Sequence, residues 1–415
     1  MGAYDFKIKI HKSQRRPLRV RPRFFLFSFL FMVTVWACKS FSQTPSLSLD
    51  SNLMRAKQSL TSDSTSQNLK YDFLGSLGGN FYGDEKQQEQ SVALSAYTKT
   101  KYKPISFAEF DLFAGLNLFS GHSQYRYGDS APHSGLDLKE AAVNFSVLEH
   151  FKIGLGALSV NEYPSSTLMI SNHAFPGVKE EILFGTKHQH VLAFAEQMIP
   201  TSSSLSTQTA DQEVTPSFFQ EGIDLRTPFF TRDLLVGAYV GHFQFTNLPG
   251  AVANQSALYG NSVRETGPSS SKFKYDFNGV FAGADSEYRF SRSFKLGVSQ
   301  ALIQNIAAPE GSNLGAETAI RACFCGASEY TVSIQATSFF NESDSSPAFF
   351  NSAEYGHNNM QGYSGGIKID FPKQRFYARA DYYNASLINK NPDQYDQQII
   401  YIRFVTEYGN TKLFD

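Results

Sequence analysis

The chain has 415 residues, 18% of them charged and 14% aromatic, with a mean hydropathy of −0.29 and a formal net charge of −1. An average globular domain carries roughly 25% charged residues, so this chain is charge-poor without being apolar, which excludes a polytopic helical membrane protein. Its 38 Phe and 21 Tyr exclude disorder over most of the length, because disordered chains are poor in aromatics.

A basic segment from Lys7 to Arg23 precedes an apolar run from Phe24 to Ala37. The run is shorter than the ~20 residues of a spanning helix, and its flanks are those of an export signal. Residues 1–42 are therefore predicted to be a signal peptide cleaved before Gln43. Val35-Trp36-Ala37-Cys38 loosely resembles a bacterial lipobox, so lipidation at Cys38 is the alternative, and a retained anchor is a third. Cleavage removes nine of the 37 Lys/Arg and one of the 38 Asp/Glu, leaving 28 against 37 and a net charge of −9. A nucleic-acid footprint is a basic patch or stripe, and none is present, so no nucleic-acid partner is expected.

Residues 43–69 are polar and rich in Ser and Thr and read as a flexible periplasmic linker. From Lys70 the pattern has period 2. Val92, Leu94 and Ala96 alternate with Ser95, Tyr97 and Lys99, and Phe110, Leu112, Ala114 and Leu116 alternate with Glu109, Asp111 and Asn117. Such alternation predicts strands with one apolar and one polar face. Sixteen are expected, at about 70–83, 89–102, 104–120, 135–147, 150–160, 179–187, 188–199, 217–230, 232–247, 271–290, 292–304, 315–325, 327–340, 360–372, 374–387 and 395–408. Short turns alternate with longer polar loops throughout. An even number of amphipathic strands joined in this way predicts an all-β, antiparallel transmembrane barrel with short periplasmic turns and long external loops. Export together with that pattern points to the outer membrane of a Gram-negative cell. Phe151, Phe229, Phe290, Phe294, Phe371 and Phe376 bracket the short turns, where interfacial aromatic girdles belong. Residues 409–415 form a C-terminal tail.

Over 70–408 the chain resembles a sixteen-stranded bacterial porin. The likeness is clearest at Leu136 to Phe145 followed by Phe151 to Ala157, two amphipathic segments joined by a short turn. Porins usually end on a terminal aromatic strand. Here Ile400, Ile402, Phe404 and Tyr408 alternate properly, but the chain continues to Asp415. The resemblance implies a water-filled channel for passive diffusion of small hydrophilic solutes and ions. It also implies contact with outer-membrane lipid and lipopolysaccharide, insertion by the barrel assembly machinery, and a possible homotrimer. A substrate-specific transporter and a surface-structural or adhesion barrel are the alternatives.

In general porins the third external loop folds into the lumen. Here that loop is expected at 161–178, and Leu168-Met169-Ile170 within it would be costly on an exposed tip. A constriction would bring Glu162, His173, Lys179, Glu180 and Glu181 into the lumen, and a loop folded over the rim is the alternative. Strand phase puts Lys368, Arg379 and Arg403 on the inner face, with Arg379 beside Arg403 and Lys368 close to Arg379. Three adjacent cations repel unless acids face them, so the row is expected to oppose the third-loop carboxylates, the alternative being ordinary lumen polarity with local ion pairs. Arg226, Arg289 and Arg321 share the lumen phase, as do Glu109 and Asp111. The charge of −9 suggests a mildly cation-preferring vestibule. Cys323 and Cys325 lie two residues apart, an awkward spacing for a disulfide in a strand, and read as small wall side chains. No Gly-x-Ser-x-Gly, His-Glu-x-x-His, phosphate-binding glycine loop or Cys-x-x-Cys occurs, and the His188-x-His190 pair lacks further ligands. Neither an enzyme, a metal nor a cofactor is expected.

Overall fold

The computed structural model describes residues 68–409, apart from 86–87, 123–133, 160–162, 164–165, 171–173, 187, 201–214, 230, 232, 266, 268–269, 326–328 and 353–354. The expected signal peptide, the linker up to residue 67, Glu162, His173 and residues 410–415 lie outside the described residues. Alternation drives the architecture. In β9 (Leu234–Thr246), Val240 is 56% exposed on the outside while Phe243 is fully buried inside. Only a closed sheet satisfies every backbone donor and acceptor of such strands in hydrocarbon.

The preceding strands are β1 (Leu69–Asp84), β2 (Gln88–Ile105), β3 (Ala108–His122) and β4 (Gly135–Leu148), then β5 (Phe151–Ser159), β6 (Ala174–Thr186), β7 (Gln189–Met198) and β8 (Ser217–Pro228). After β9 an excursion holds the helix Gly250–Leu258 and a small hairpin of β10 (Val263–Glu265) and β11 (Lys272–Phe273). The wall resumes with β12 (Phe277–Arg289), β13 (Phe294–Asn305), β14 (Leu314–Phe324) and β15 (Thr331–Asn341). It ends with β16 (Met360–Phe371), β17 (Phe376–Leu387) and β18 (Gln397–Gly409). Sixteen strands pair antiparallel with their sequence neighbours in the wall, and β1 closes the barrel on β18 through pairs such as Leu77 with Phe404 and Phe81 with Ile400.

Several boundaries differ from the sequence reading by a few residues, as where β3 starts at Ala108 and β15 at Thr331, and two of the differences matter to the site. β6 begins at Ala174 rather than 179, because Phe175, Gly177 and Lys179 continue the inward phase through Pro176. The stretch expected as one strand at 271–290 is divided: Lys272–Phe273 pairs with β10, and the wall starts only at Phe277.

On the side of the long loops, part of the interior is packed with apolar side chains. Phe194, Phe218, Phe243, Phe277 and Phe281 point inward and are almost fully buried with Leu168, Met169, Ile170, Val252 and Phe350. Glycines make room for these rings. A Cβ at Gly241 would collide with the Phe281 ring and the Glu221 carbonyl. Gly241→Val is therefore expected to destabilise the barrel by about 1–3 kcal/mol, the usual cost of overpacking. The check is a lowered midpoint for conversion of the folded to the heat-denatured band on cold SDS gels.

Candidate selectivity region in the lumen

Register brings the predicted cations together. Lys368 pairs with Arg379 across β16 and β17, and Arg379 pairs with Arg403 across β17 and β18. The same row extends the other way through Ser333, Cys323 and Lys295 to Arg289. Five of its seven positions, from Arg289 to Arg403, are basic. All share the inner phase, because residues one step away, such as Ile367 and Ile402, are exposed on the outside. The sequence reading gave Arg289 the lumen phase and omitted Lys295; pairing across the Ser291 turn joins both to the row.

Four of the five cations have a local partner. Arg379 Nε donates to both Asp381 oxygens, at 2.9 and 2.8 Å. Lys368 Nζ sits 4.1 Å from the Tyr377 ring centroid and 3.8 Å from an Asp370 oxygen. The Arg403 guanidinium lies 5.1 Å over the Tyr401 ring, and Lys295 Nζ reaches Glu287 at 3.4 Å. Attraction to an aromatic face holds a cation without cancelling its charge, whereas Lys295, Lys368 and Arg379 each have a carboxylate close by.

The other predicted residues lie elsewhere on the wall. Arg321 donates to the Gln335 side chain at 2.9 Å. Arg226 bridges Asp224 at 3.4 Å and Asp285 at 3.3 Å, and His190 contacts Asp224 at 3.0 Å. His190 is thus tied to an acid on the inner wall rather than paired with His188 in a turn. Glu109 and Asp111 both meet Lys101, at 3.5 and 3.0 Å, and Asn144 also donates to Asp111 at 2.8 Å. Glu180 requires a correction. It is exposed between the buried Lys179 and Glu181 and shares its phase with the outward Val178, so it lies on the outer face. It fell at the start of the strand expected at 179–187 and was grouped with the acids of the third loop rather than by strand phase. Lys179 and Glu181 do face the lumen, and the Tyr163 hydroxyl donates to Glu181 at 2.9 Å.

The apolar segment Leu168–Ile170 is buried inside the barrel. The Leu168 carbonyl accepts from Ser346 Oγ at 2.7 Å, Asn351 Nδ2 at 3.4 Å and Asn341 Nδ2 at 3.5 Å. The Ser352 amide donates to the Thr167 carbonyl at 3.0 Å, and Thr167 Oγ1 to Glu317 at 3.4 Å. These partners belong to β14, the end of β15 and the loop after it, so the segment is tied to wall and loop residues far along the chain. A second knot joins that loop to the helix-bearing one. Asn261 Nδ2 donates to the Ser343 and Ser346 carbonyls at 2.7 and 2.9 Å, and the Ser262 amide donates to Asp344 at 2.9 Å. Burial pushes the Asp344 carboxyl above the usual carboxylate range despite those donors. Nothing in the local sequence marks this Asn- and Ser-rich knot, whose members are scattered over nearly 200 residues.

Cys323 and Cys325 form a disulfide with their Cα atoms 5.7 Å apart, contrary to the sequence expectation. β14 ends at Phe324, Cys325 lies just past it with its amide bonded to the Ser293 carbonyl at 2.8 Å, and the Cα separation falls within the range a disulfide spans. A loop this small restricts the unfolded chain little. Cys323→Ser with Cys325→Ser is expected to cost only about 1–2 kcal/mol. Parallel heat-denaturation series of variant and parent check this.

Among the described residues no group of three His, Cys, Asp or Glu side chains could hold a metal. A closed sixteen-stranded antiparallel barrel with an apolar outer face, a charged inner face and a loop tied inside defines the class: an outer-membrane barrel. No protein-family model matches the sequence, and no curated protein matches it. Solved structures do. OprB of Pseudomonas putida is 13% identical with a TM-score of 0.54, covering 82% of this chain and 94% of that one. The outer membrane channel DcaP of Acinetobacter baumannii is 9% identical with a TM-score of 0.46, covering 83% and 99%. OmpT, an outer membrane protein of Vibrio cholerae described in a trimer form, is 10% identical with a TM-score of 0.45, covering 82% and 99%. At such identities OprB establishes a shared fold.

Proposed function

We propose that this chain is a porin: a water-filled outer-membrane channel for passive diffusion of small hydrophilic solutes and ions, narrowed by its inward-folded third loop. The observation that carries the reading is the basic row on the inner face, Arg289, Lys295, Lys368, Arg379 and Arg403 in one register. A row of cations on a water-facing wall is a selectivity device and would be a burden in a barrel that only displays loops. The negative vestibule gives a mild cation preference, which the row restrains. The barrel contacts lipid and lipopolysaccharide, is inserted by the assembly machinery, and associates with copies of itself, as a trimer by analogy with porins.

Swelling of proteoliposomes in isotonic sugars tests the diffusion channel. Swelling that slows as the sugar grows supports it. Swelling confined to one sugar, saturating with concentration, would instead favour the substrate-specific transporter, a reading supported by the aromatic filling under the long loops. No swelling with any sugar would leave the structural barrel.

A further inference from the structure

A barrel wall in hydrocarbon carries apolar side chains outward, and an acid there is costly. Among the described outward positions of the sixteen strands, the acidic, basic or histidine side chains are Glu180, Glu221 and His242. They are not scattered. Glu180 pairs with Ala195, Ala195 with Glu221, and Glu221 with His242, so all three lie in one register row across β6, β7, β8 and β9. Their outward phase is fixed by exposed neighbours on the same strands, Val178, Ile223 and Val240. Glu180 is the central residue of the 13-residue β6, so its depth is that of the wall rather than of a loop.

Further polar groups extend the row. His242 Nε2 lies 2.8 Å from Asn278 Oδ1 and His242 Nδ1 lies 3.8 Å from Glu221 Oε1. Gln197 and Gln304 are exposed on the same wall. Among the outward positions beside them five are alanines, Ala193, Ala195, Ala238, Ala282 and Ala284. Small residues let a second surface approach closely. Away from this wall, on β18 and β1 to β3, the exposed outward side chains are Phe73, Leu77, Leu94, Leu116 and Phe404 with no acid or histidine described among them, as lipid contact requires.

We propose that the wall running from β6 through β9 to β12 and β13 is where two copies of this chain associate, so that lipid never meets Glu180, Glu221 and His242. The surface is self-complementary. It offers carboxylate acceptors at Glu180 and Glu221, a histidine, and amides at Gln197, Asn278 and Gln304 that both donate and accept. Copies pressed together there can satisfy one another's polar groups within a flat apolar surround. This rests on the reading of the chain as a self-associating outer-membrane barrel and names the wall that does it.

Single cysteines at Gln197 and, away from that wall on β3, at Leu116 test the assignment, in native outer membranes treated with a short bis-maleimide. Heat-modifiable mobility confirms that each variant is folded, and the native cysteines remain disulfide-bonded. The expected result is a band near twice the monomer mass for Gln197→Cys, its absence for Leu116→Cys, and its loss when Glu180→Leu and Glu221→Leu are added. Cross-linking through Leu116→Cys alone would overturn the wall assignment while leaving self-association intact. A protein monomeric by native mass spectrometry that cross-links at neither site would overturn both. A monomer that carries lipopolysaccharide, and loses it in the double leucine variant, would overturn the proposal in favour of a lipid-binding wall.

Discussion

Replacing Arg379 and Arg403 together with glutamine is expected to shift the reversal potential under a salt gradient toward stronger cation preference. The two residues are register neighbours at the β17–β18 end of the basic row. A unit charge about 5 Å from a passing ion in water contributes about 0.8 kcal/mol, roughly a fourfold change in local ion concentration. The effect is reinforced at Arg379, because its loss leaves the Asp381 carboxylate, which now accepts two hydrogen bonds from it, facing the lumen without that partner. Arg264→Gln, outside the barrel wall with its side chain donating to the Lys274 carbonyl, serves as the control and should leave the potential unmoved. An unchanged potential in the double variant would remove the row from the selectivity mechanism.

Met169→Asp should release the third loop and raise single-channel conductance. Leu168, Met169 and Ile170 are almost completely buried. Burial of each such side chain contributes about 1.5–3 kcal/mol, so the three together hold the loop by about 6 kcal/mol. An uncompensated carboxylate at the centre of that patch costs several kcal/mol, enough to offset most of the anchoring. The barrel itself should survive, because its strands do not depend on the loop for backbone pairing. Normal heat-modifiable folding with larger conductance steps is the expected outcome, whereas unchanged steps would show that the loop does not narrow the path.

Much of the architecture is legible in the residues because the side-chain period of a strand is 2 and every strand of a membrane barrel obeys it. Leu94 against Lys99, or Ile402 against Arg403, announces face as well as strand. Once the turn at Pro372 and the loop at 388–394 are located, hairpin counting is enough to set Arg379 beside Arg403 and Lys368 beside Arg379. What stays hidden depends on phase outside a strand or on contacts distant in sequence. Glu180 was misplaced because it was grouped with the third-loop carboxylates, whereas β6 starts at Ala174 and its phase turns Glu180 outward. The Cys323–Cys325 bond depends on where β14 stops. Ser346, Asn351 and Asn341 meet the Leu168 carbonyl from more than 170 positions away, and no local pattern encodes that meeting.

Single-channel recording of the purified protein in planar bilayers tests the central claim most directly. The account predicts discrete conductance steps, linear with voltage and rising with salt concentration. Silence after insertion, or small currents that saturate with salt, would contradict an open diffusion pore.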